Sequence, residues 1–181
     1  MPSDSLRSSI LSWRSRCWRR MRDYEAARED IERALQLAED AQDPRTIGSA
    51  YFQASLVADR EGHWVLARSY AEKARSAFEE LNDRIHVGRL TNNLGGLNFL
   101  LGKTDEAIDL LKEAFAIALE TGRDADAAFS AAEASFEQLG SASHRAAAWV
   151  ARGDLAARRG DDRLAAHLYR SAAEALQDVR F

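Results

Sequence analysis

A period of forty residues runs through most of this chain and limits what it can fold into more than any other feature. The segment Gly62-His63-Trp64-Val65-Leu66-Ala67 returns as Gly102-Lys103-Thr104-Asp105-Glu106-Ala107, and Asp23-Tyr24-Glu25-Ala26-Ala27 stands forty residues ahead in the same register. Self-similarity at a fixed spacing of this size marks stacked supersecondary units, each packed on its neighbours, rather than one closed core. Arrays of this kind present an extended concave surface to a partner.

The units are helical. Ala occurs 34 times in 181 residues and Pro only twice, and alanine loses no side-chain entropy in a helix. The punctuation predicts an all-α chain of about nine helices forming a single array over residues 1–181: hairpins at about 4–41, 44–81 and 84–121, a lone helix at 124–139, and a last hairpin at 142–178. Asp43-Pro44 reads as an N-cap followed by proline at the first helical position. Gly62, Gly102, Gly122, Gly140 and Gly160 read as helix stops, and Asp83 and Thr104 as caps of the helices they precede. The second helix of each hairpin carries alanines seven residues apart, at Ala27 and Ala34, Ala67 and Ala74, Ala107 and Ala114, and Ala165 and Ala172. Seven residues is nearly two turns, so each pair lies on one face and lets the partner helix come close. Ile31, Leu111 and Tyr169 fill the same seam.

Charge and cysteine bound the setting. The net charge is -4, yet residues 1–22 hold six arginines (Arg7, Arg14, Arg16, Arg19, Arg20, Arg22) against Asp4 alone. Such asymmetry suits an acidic partner or a nucleic acid, and equally a solvated helix face. The lone Cys17 excludes an internal disulfide and fits a reducing compartment. No apolar run approaches the roughly 20 residues of a membrane span, and the start lacks a secretory pattern. A cytoplasmic protein with no membrane partner is the expectation. The excess of arginine over lysine, 22 to 3, suggests a GC-rich bacterial coding sequence.

Leu94-Gly95, Asn98, Gly102, Thr104, Ala107, Leu111 and Ala114 together resemble a tetratricopeptide repeat, a helix-turn-helix unit of about 34 residues. The last hairpin, with Trp149, Gly153, Gly160, Ala165, Tyr169 and Ala172, resembles it equally, and the one around Gly62 and Ala67 is a fair match with Ala54-Ser55 in place of Leu-Gly. The first is poorer, because Arg14-Ser15 replaces Leu-Gly and Arg22 replaces the turn glycine. The longer forty-residue spacing is similar to the repeat tails of bacterial transcriptional regulators of the Xre type, as is the run from Phe136 to Ala173. The resemblance implies a short α-solenoid and a non-enzymatic sensing role for a peptide or protein signal. No DNA-reading unit is evident, since one basic helix lacks the second helix that would position it. DNA contact would then come through a separate or missing domain, and whether one is encoded upstream is not legible here.

One stretch breaks the period. Ala125, Phe129, Ala132 and Phe136 match Ala165, Tyr169, Ala172 and Leu176 forty residues on, yet Ala125 follows Ala107 by only eighteen. One helix of that repeat is missing. Either residues 142–178 pack with reversed polarity, or the helices at 104–121 and 124–139 fuse through Thr121-Gly122-Arg123 into a rod of about 54 Å. A break is preferred, because Thr121-Gly122-Arg123-Asp124 aligns with the linker Leu81-Asn82-Asp83-Arg84. Either arrangement leaves apolar surface near the gap, which invites self-association into a homo-oligomer.

Nothing in the residues supports catalysis, a metal or a cofactor. Gly96 to Thr104 has five residues between its first glycine and Gly-Lys-Thr where a phosphate-binding loop has four, and it reads as helix and turn. The four histidines (His63, His86, His144, His167) stand in separate units without ligand spacing. The resemblance instead implies a concave groove lined by the first helix of each pair. Carried over by position, this gives Arg16, Arg19 and Arg20 from the first hairpin, Phe52, Gln53 and Leu56 from the second, and Arg89, Asn92, Asn93 and Phe99 from the third. Arg16, Arg89 and Asn93 have the chemistry to hold a carboxylate or an acidic peptide. Ser12 and Gln53 stand where two groups of a strict terminal-carboxylate clamp are expected. Phe52, Leu56 and Phe99 suit packing between neighbouring first helices as well as ligand contact. Two other readings remain beside the interaction module: nucleic-acid or acidic-partner binding through the arginine-rich first helix, and a degenerate scaffold fragment.

Overall fold

Helical hairpins follow one another along the chain, each closed by the same turn. The computed structural model describes residues 3–121 and 142–177, with Ala134 and Glu137 between them. Within these it has eight helices and no strand: α1 (Asp4–Arg20), α2 (Tyr24–Ala41), α3 (Pro44–Arg60), α4 (Trp64–Glu80), α5 (Arg84–Leu100), α6 (Thr104–Thr121), α7 (Ala142–Arg158) and α8 (Asp162–Gln177). The helix expected at 124–139, and with it the break or fusion at Gly122, lies outside the described residues. The principal packing pairs α1 with α2, α3 with α4, α5 with α6 and α7 with α8, and joins successive hairpins through α2–α3 and α4–α5. This is a short α-solenoid.

The turns explain why the hairpins close. Arg22, Gly62, Gly102 and Gly160 all have left-handed backbone, with φ of 64°, 79°, 76° and 78°. Beside each of them an N–H reaches back to close the helix end: Asp23 to the Trp18 carbonyl (3.0 Å), His63 to Ala58 (2.9 Å), Lys103 to Asn98 (2.8 Å) and Asp161 to Ala156 (2.9 Å). Such bonds satisfy carbonyls that a helix end leaves open. Gln42 and Asn82 are left-handed between hairpins, both at φ 52°, and after Asn82 the Asp83 N–H reaches the Phe78 carbonyl at 2.9 Å. The carboxylates of Asp23, Asp43, Asp83 and Asp161 then accept from the N–H three residues on and cap the following helices. Thr104, expected as a cap, is instead the first residue of α6.

The alanine seam is buried throughout. Ala27, Ala34, Ala67, Ala74 and Ala107 are fully covered, and Ala114, Ala165 and Ala172 are at most 5% exposed. Small residues meet them from the first helices. A Cβ built on Gly95 would lie 2.8 Å from Leu111 Cγ, and one on Gly153 would lie 2.6 Å from Tyr169 Cε1. Ser55 is buried at the corresponding place in α3. In the first hairpin the hydroxyls of Ser8 and Ser15 donate to the carbonyls of Ala34 and Ala27, each at 2.7 Å. Serine thus allows the same close approach as glycine, and α1 pairs with α2 as fully as its counterparts do, although its sequence match is weaker.

One position changes character along the array. Leu94 and Leu110 supply an apolar pair in the third hairpin, whereas Arg14 and Asp30 stand there in the first. Arg14 grips Asp30 through Nε and Nη2, both at 2.6 Å, with the carboxylate buried. That grip, aided by a Trp18 hydrogen bond and opposed by burial, holds the Asp30 pKa below its ordinary value. Ion pairs also tie units to one another, Arg45 to Asp83 at 3.0 Å and Arg75 to Glu113 at 2.8 Å. They are exposed enough to contribute little each. Apolar contact does more: a central cluster around Phe78, Leu90, Leu94 and Leu97 joins α3, α4, α5 and α6, and Leu111 with Ala148 and Phe115 joins α6 to α7.

Two outcomes follow for stability. Arg22→Gly relieves a left-handed strain of about 1–2 kcal/mol while adding unfolded-chain entropy, for a net gain of about 0.5–1 kcal/mol in denaturant unfolding. Asp30→Asn loses about 1.5–3 kcal/mol at neutral pH. Because the folded pKa of Asp30 is depressed, this difference is complete above the ordinary carboxylate pKa of about 3.9 and shrinks as pH falls through and below it. Unfolding curves of both proteins between pH 7 and roughly pH 2 measure it.

Candidate partner-binding cleft

The face of each first helix turned away from the alanine seam is left to line the surface of the array. On α1 it holds Ser9, Ser12, Trp13, Arg16 and Arg19, spaced three and four residues apart. Forty residues on, α3 presents Ser49, Phe52, Gln53, Leu56 and Asp59, and α5 presents Arg89, Asn92, Asn93, Gly96 and Phe99. The repeat therefore brings different chemistry to equivalent places on three adjacent helices.

Two clefts open along this face. The first, about 320 Å³, is lined by Ser9, Ser12, Trp13 and Arg16 of α1, Ser49, Phe52 and Gln53 of α3, and His86 and Arg89 of α5. The second, about 280 Å³, lies between α3 and α5 and is lined by Ser55, Leu56, Asp59, Arg60, Asn92, Asn93, Gly96 and Phe99 among others. Of the residues singled out in the sequence, Arg16, Phe52, Gln53 and Arg89 meet in the first cleft, and Leu56, Asn92, Asn93 and Phe99 in the second. Arg19 and Arg20 line neither. Trp13, His86 and Arg60 line the clefts without having been singled out as groove residues. Trp13 was legible in principle, because the period aligns it with Gln53 and Asn93.

The first cleft holds two arginines, Arg16 and Arg89. The Arg16 guanidinium lies 5.1 Å from the centre of the Trp13 ring, a cation–π contact that leaves its charge uncompensated. On the same helix but outside both clefts, burial lowers the pKa of Arg19, and the nearby charges of Arg60, Arg16 and Arg20 lower it further, against the opposing pull of Asp59. Gln53 Oε1 and Arg19 Nε are buried without a hydrogen-bond partner. Phe52 reaches the other way and packs against the central apolar cluster. His86 stacks on Phe78 with ring centres 4.4 Å apart, and its Nδ1 lies 3.0 Å from Asp83, so it serves as a wall.

A third cleft, about 530 Å³, lies on another side between α4, α5 and α6. Its arginines are engaged: Arg68 binds Glu72, and Arg75 binds Glu79 and Glu113. Lys103, at the end of the glycine-rich segment, is a turn residue paired with Glu106 at 3.2 Å. Among the described residues no cluster of His, Cys, Asp or Glu is placed to hold a metal ion, and no helix is long and apolar enough to cross a membrane.

The two kinds of lining residue are separable by stability. Phe52→Ala is expected to cost about 3 kcal/mol, since the ring also fills the core. Arg16→Ala and Gln53→Ala are expected to stay within about 0.5 kcal/mol of wild type. Denaturant unfolding of the three variants measures the difference.

Comparison with known proteins agrees with this geometry. A family profile described as tetratricopeptide repeat matches residues 60–120, which run from the end of α3 to the end of α6. No curated protein matches the sequence. Among solved structures, the chain is similar to a Signal Transduction ATPase with Numerous Domains protein with a tetratricopeptide repeat sensor from Pyrococcus horikoshii, with a TM-score of 0.73 and 15% identity over 97% of this chain and 26% of that one. It is similar to aspartyl phosphate phosphatase F from Bacillus subtilis, with a TM-score of 0.63 and 15% identity over 99% of this chain and 51% of that one. A Podosopora anserina protein with nearly identical TPR-like repeats is covered completely, as is this chain, at a TM-score of 0.57 and 14% identity. The chain thus spans about a quarter of the first protein and about half of the second. At these identities the likeness is one of fold: a tetratricopeptide-like array, an architecture suited to holding protein partners.

Proposed function

We propose that the chain is a non-enzymatic interaction module that receives an acidic peptide segment across α1, α3 and α5. The observation that carries this reading is the first cleft, where Arg16 and Arg89 stand on different helices with Gln53 and three serines between them. Guanidinium groups pair with carboxylates in a fork, and the buried, unpartnered Gln53 Oε1 suits the N–H of an extended backbone. Asn92 and Asn93 extend the same surface into the second cleft.

Within that reading the chain is the sensing part of a transcriptional regulator, with DNA contact supplied by a separate domain. The resemblance of the forty-residue units to the repeat tails of bacterial regulators favours this, and the similar structure from Pyrococcus horikoshii carries a repeat unit described as a sensor. A peptide that binds one curvature of the array better than another shifts the balance between them, and this differential affinity is the signal. Direct nucleic-acid binding by α1 has less support. Arg7 and Arg14 are paired with Asp4 and Asp30, and Arg16 rests over Trp13.

Fluorescence anisotropy with a labelled, glutamate-rich peptide tests the cleft. Affinity should fall with added salt and drop about tenfold, or about 1.4 kcal/mol, in each of Arg16→Ala, Arg89→Ala and Asn93→Ala. Unchanged affinity in all three variants removes the cleft from the account.

A further inference from the structure

The outer face of α1 carries an apolar stripe whose central positions are buried in later units. Leu6, Ile10, Trp13, Cys17 and Met21 recur at three- and four-residue steps and lie on the side of the helix opposite Ser8, Ser12 and Ser15. Leu6, Ile10, Trp13 and Met21 are 51%, 55%, 64% and 68% exposed, and Cys17 is exposed as well. At its centre the counterparts are covered: Ile10 corresponds to Ala50 and Leu90, and Cys17 to Val57 and Leu97, and these four are at most 4% exposed. Val57 packs with Ala27, Ile31 and Ala34 of α2, while Leu90 and Leu97 share a cluster with Ala71, Ala74 and Phe78 of α4. A helix from the preceding hairpin therefore covers this face in two units, and nothing among the described residues covers it in the first.

Charge indicates what fits. Arg7 and Arg14 on one flank of the stripe are paired with Asp4 and Asp30. Arg16 and Arg20 on the other flank, and Arg22 just beyond, have no carboxylate partner among the described residues. A second copy of this chain is a poor occupant. Two α1 faces would oppose these arginines to one another, and residues 142–177 at the far end hold six arginines against four acidic residues.

We propose that the outer face of α1 docks an acidic amphipathic helix of a partner protein, seated against α1 as α2 is seated against α3. Its apolar side covers Leu6, Ile10 and Cys17, and its carboxylates face Arg16 and Arg20. This surface borders the peptide cleft at Trp13 and shares Arg16 with it, while Arg89 belongs to the cleft alone.

Cys17 is the sole cysteine, so its alkylation by iodoacetamide reports the face directly. The probe is a synthetic helix of about three heptads with leucine at the two seam positions and glutamate on the flanks. At saturation it should slow Cys17 alkylation at least tenfold in wild type and in Arg89→Ala. In Ile10→Glu, whose substitution is on the surface, alkylation should proceed at the same rate with and without the helix, and a lysine-flanked version should give no protection. The proposal is overturned if the glutamate helix binds and leaves Cys17 reactivity unchanged, if the lysine version protects equally, or if Arg89→Ala abolishes protection. It is also overturned if the chain alone sediments as a dimer that Ile10→Glu dissociates, which would make a second copy the occupant.

Discussion

Close approach of paired helices is the constraint on which the rest of this structure depends. Two helices come to the near end of their usual interaxial range only where neither carries bulk. Here alanines seven residues apart on the second helix meet serine or glycine on the first, from Ser8 and Ser15 against Ala34 and Ala27 to Gly95 against Ala107 and Leu111. The backbone requirement is the same in every unit, while the side-chain solution varies. Where glycine leaves space, serine fills it with a hydroxyl that donates to the facing carbonyl and so is not left unsatisfied.

Because the seam takes up one face of each first helix, and in α3 and α5 the preceding hairpin takes up the opposite one, the stripe between them is left to differ from unit to unit. Trp13, Gln53 and Asn93 occupy one repeat position, and Arg16, Leu56 and Gly96 another. An interaction surface built this way owes its shape to the repeat and its specificity to departures from it. The accumulation of positive charge is the clearest departure. Arg19 is pushed below its ordinary pKa first by burial and then by Arg60, Arg16 and Arg20, a cost that a solvated helix face would not carry.

How much of this was legible in the sequence depended on whether a requirement repeats. Gly62, Gly102 and Gly160 announce left-handed turns because glycine takes them without penalty, and the buried alanines follow from the same period. Arg22 in the same conformation is not announced by its residue type; only its place forty residues before Gly62 points to it. The Arg14–Asp30 pair stands where leucines stand in the third hairpin, so a pattern built on apolar residues passes over it. Helix starts were harder still. Thr104 reads as a cap by its type, yet it forms the first residue of α6, because the chain leaves the left-handed Gly102 already aimed into the helix. Of the candidate site residues, eight fall in two adjacent clefts because position in the repeat determines direction, while Arg19 and Arg20 lie outside them.

The tightness of the helix seam is open to one direct measurement. Ala107 is fully buried against α5, and Ala116 on the same helix is exposed. Enlarging each to leucine and measuring the free energy of unfolding in denaturant compares one added side chain in two settings. A loss of about 1–3 kcal/mol or failure to fold for Ala107→Leu, with Ala116→Leu unchanged within about 0.5 kcal/mol, is the expected result. Equal tolerance of both substitutions would contradict the account, because the paired helices would then have room to spare where they are held to touch.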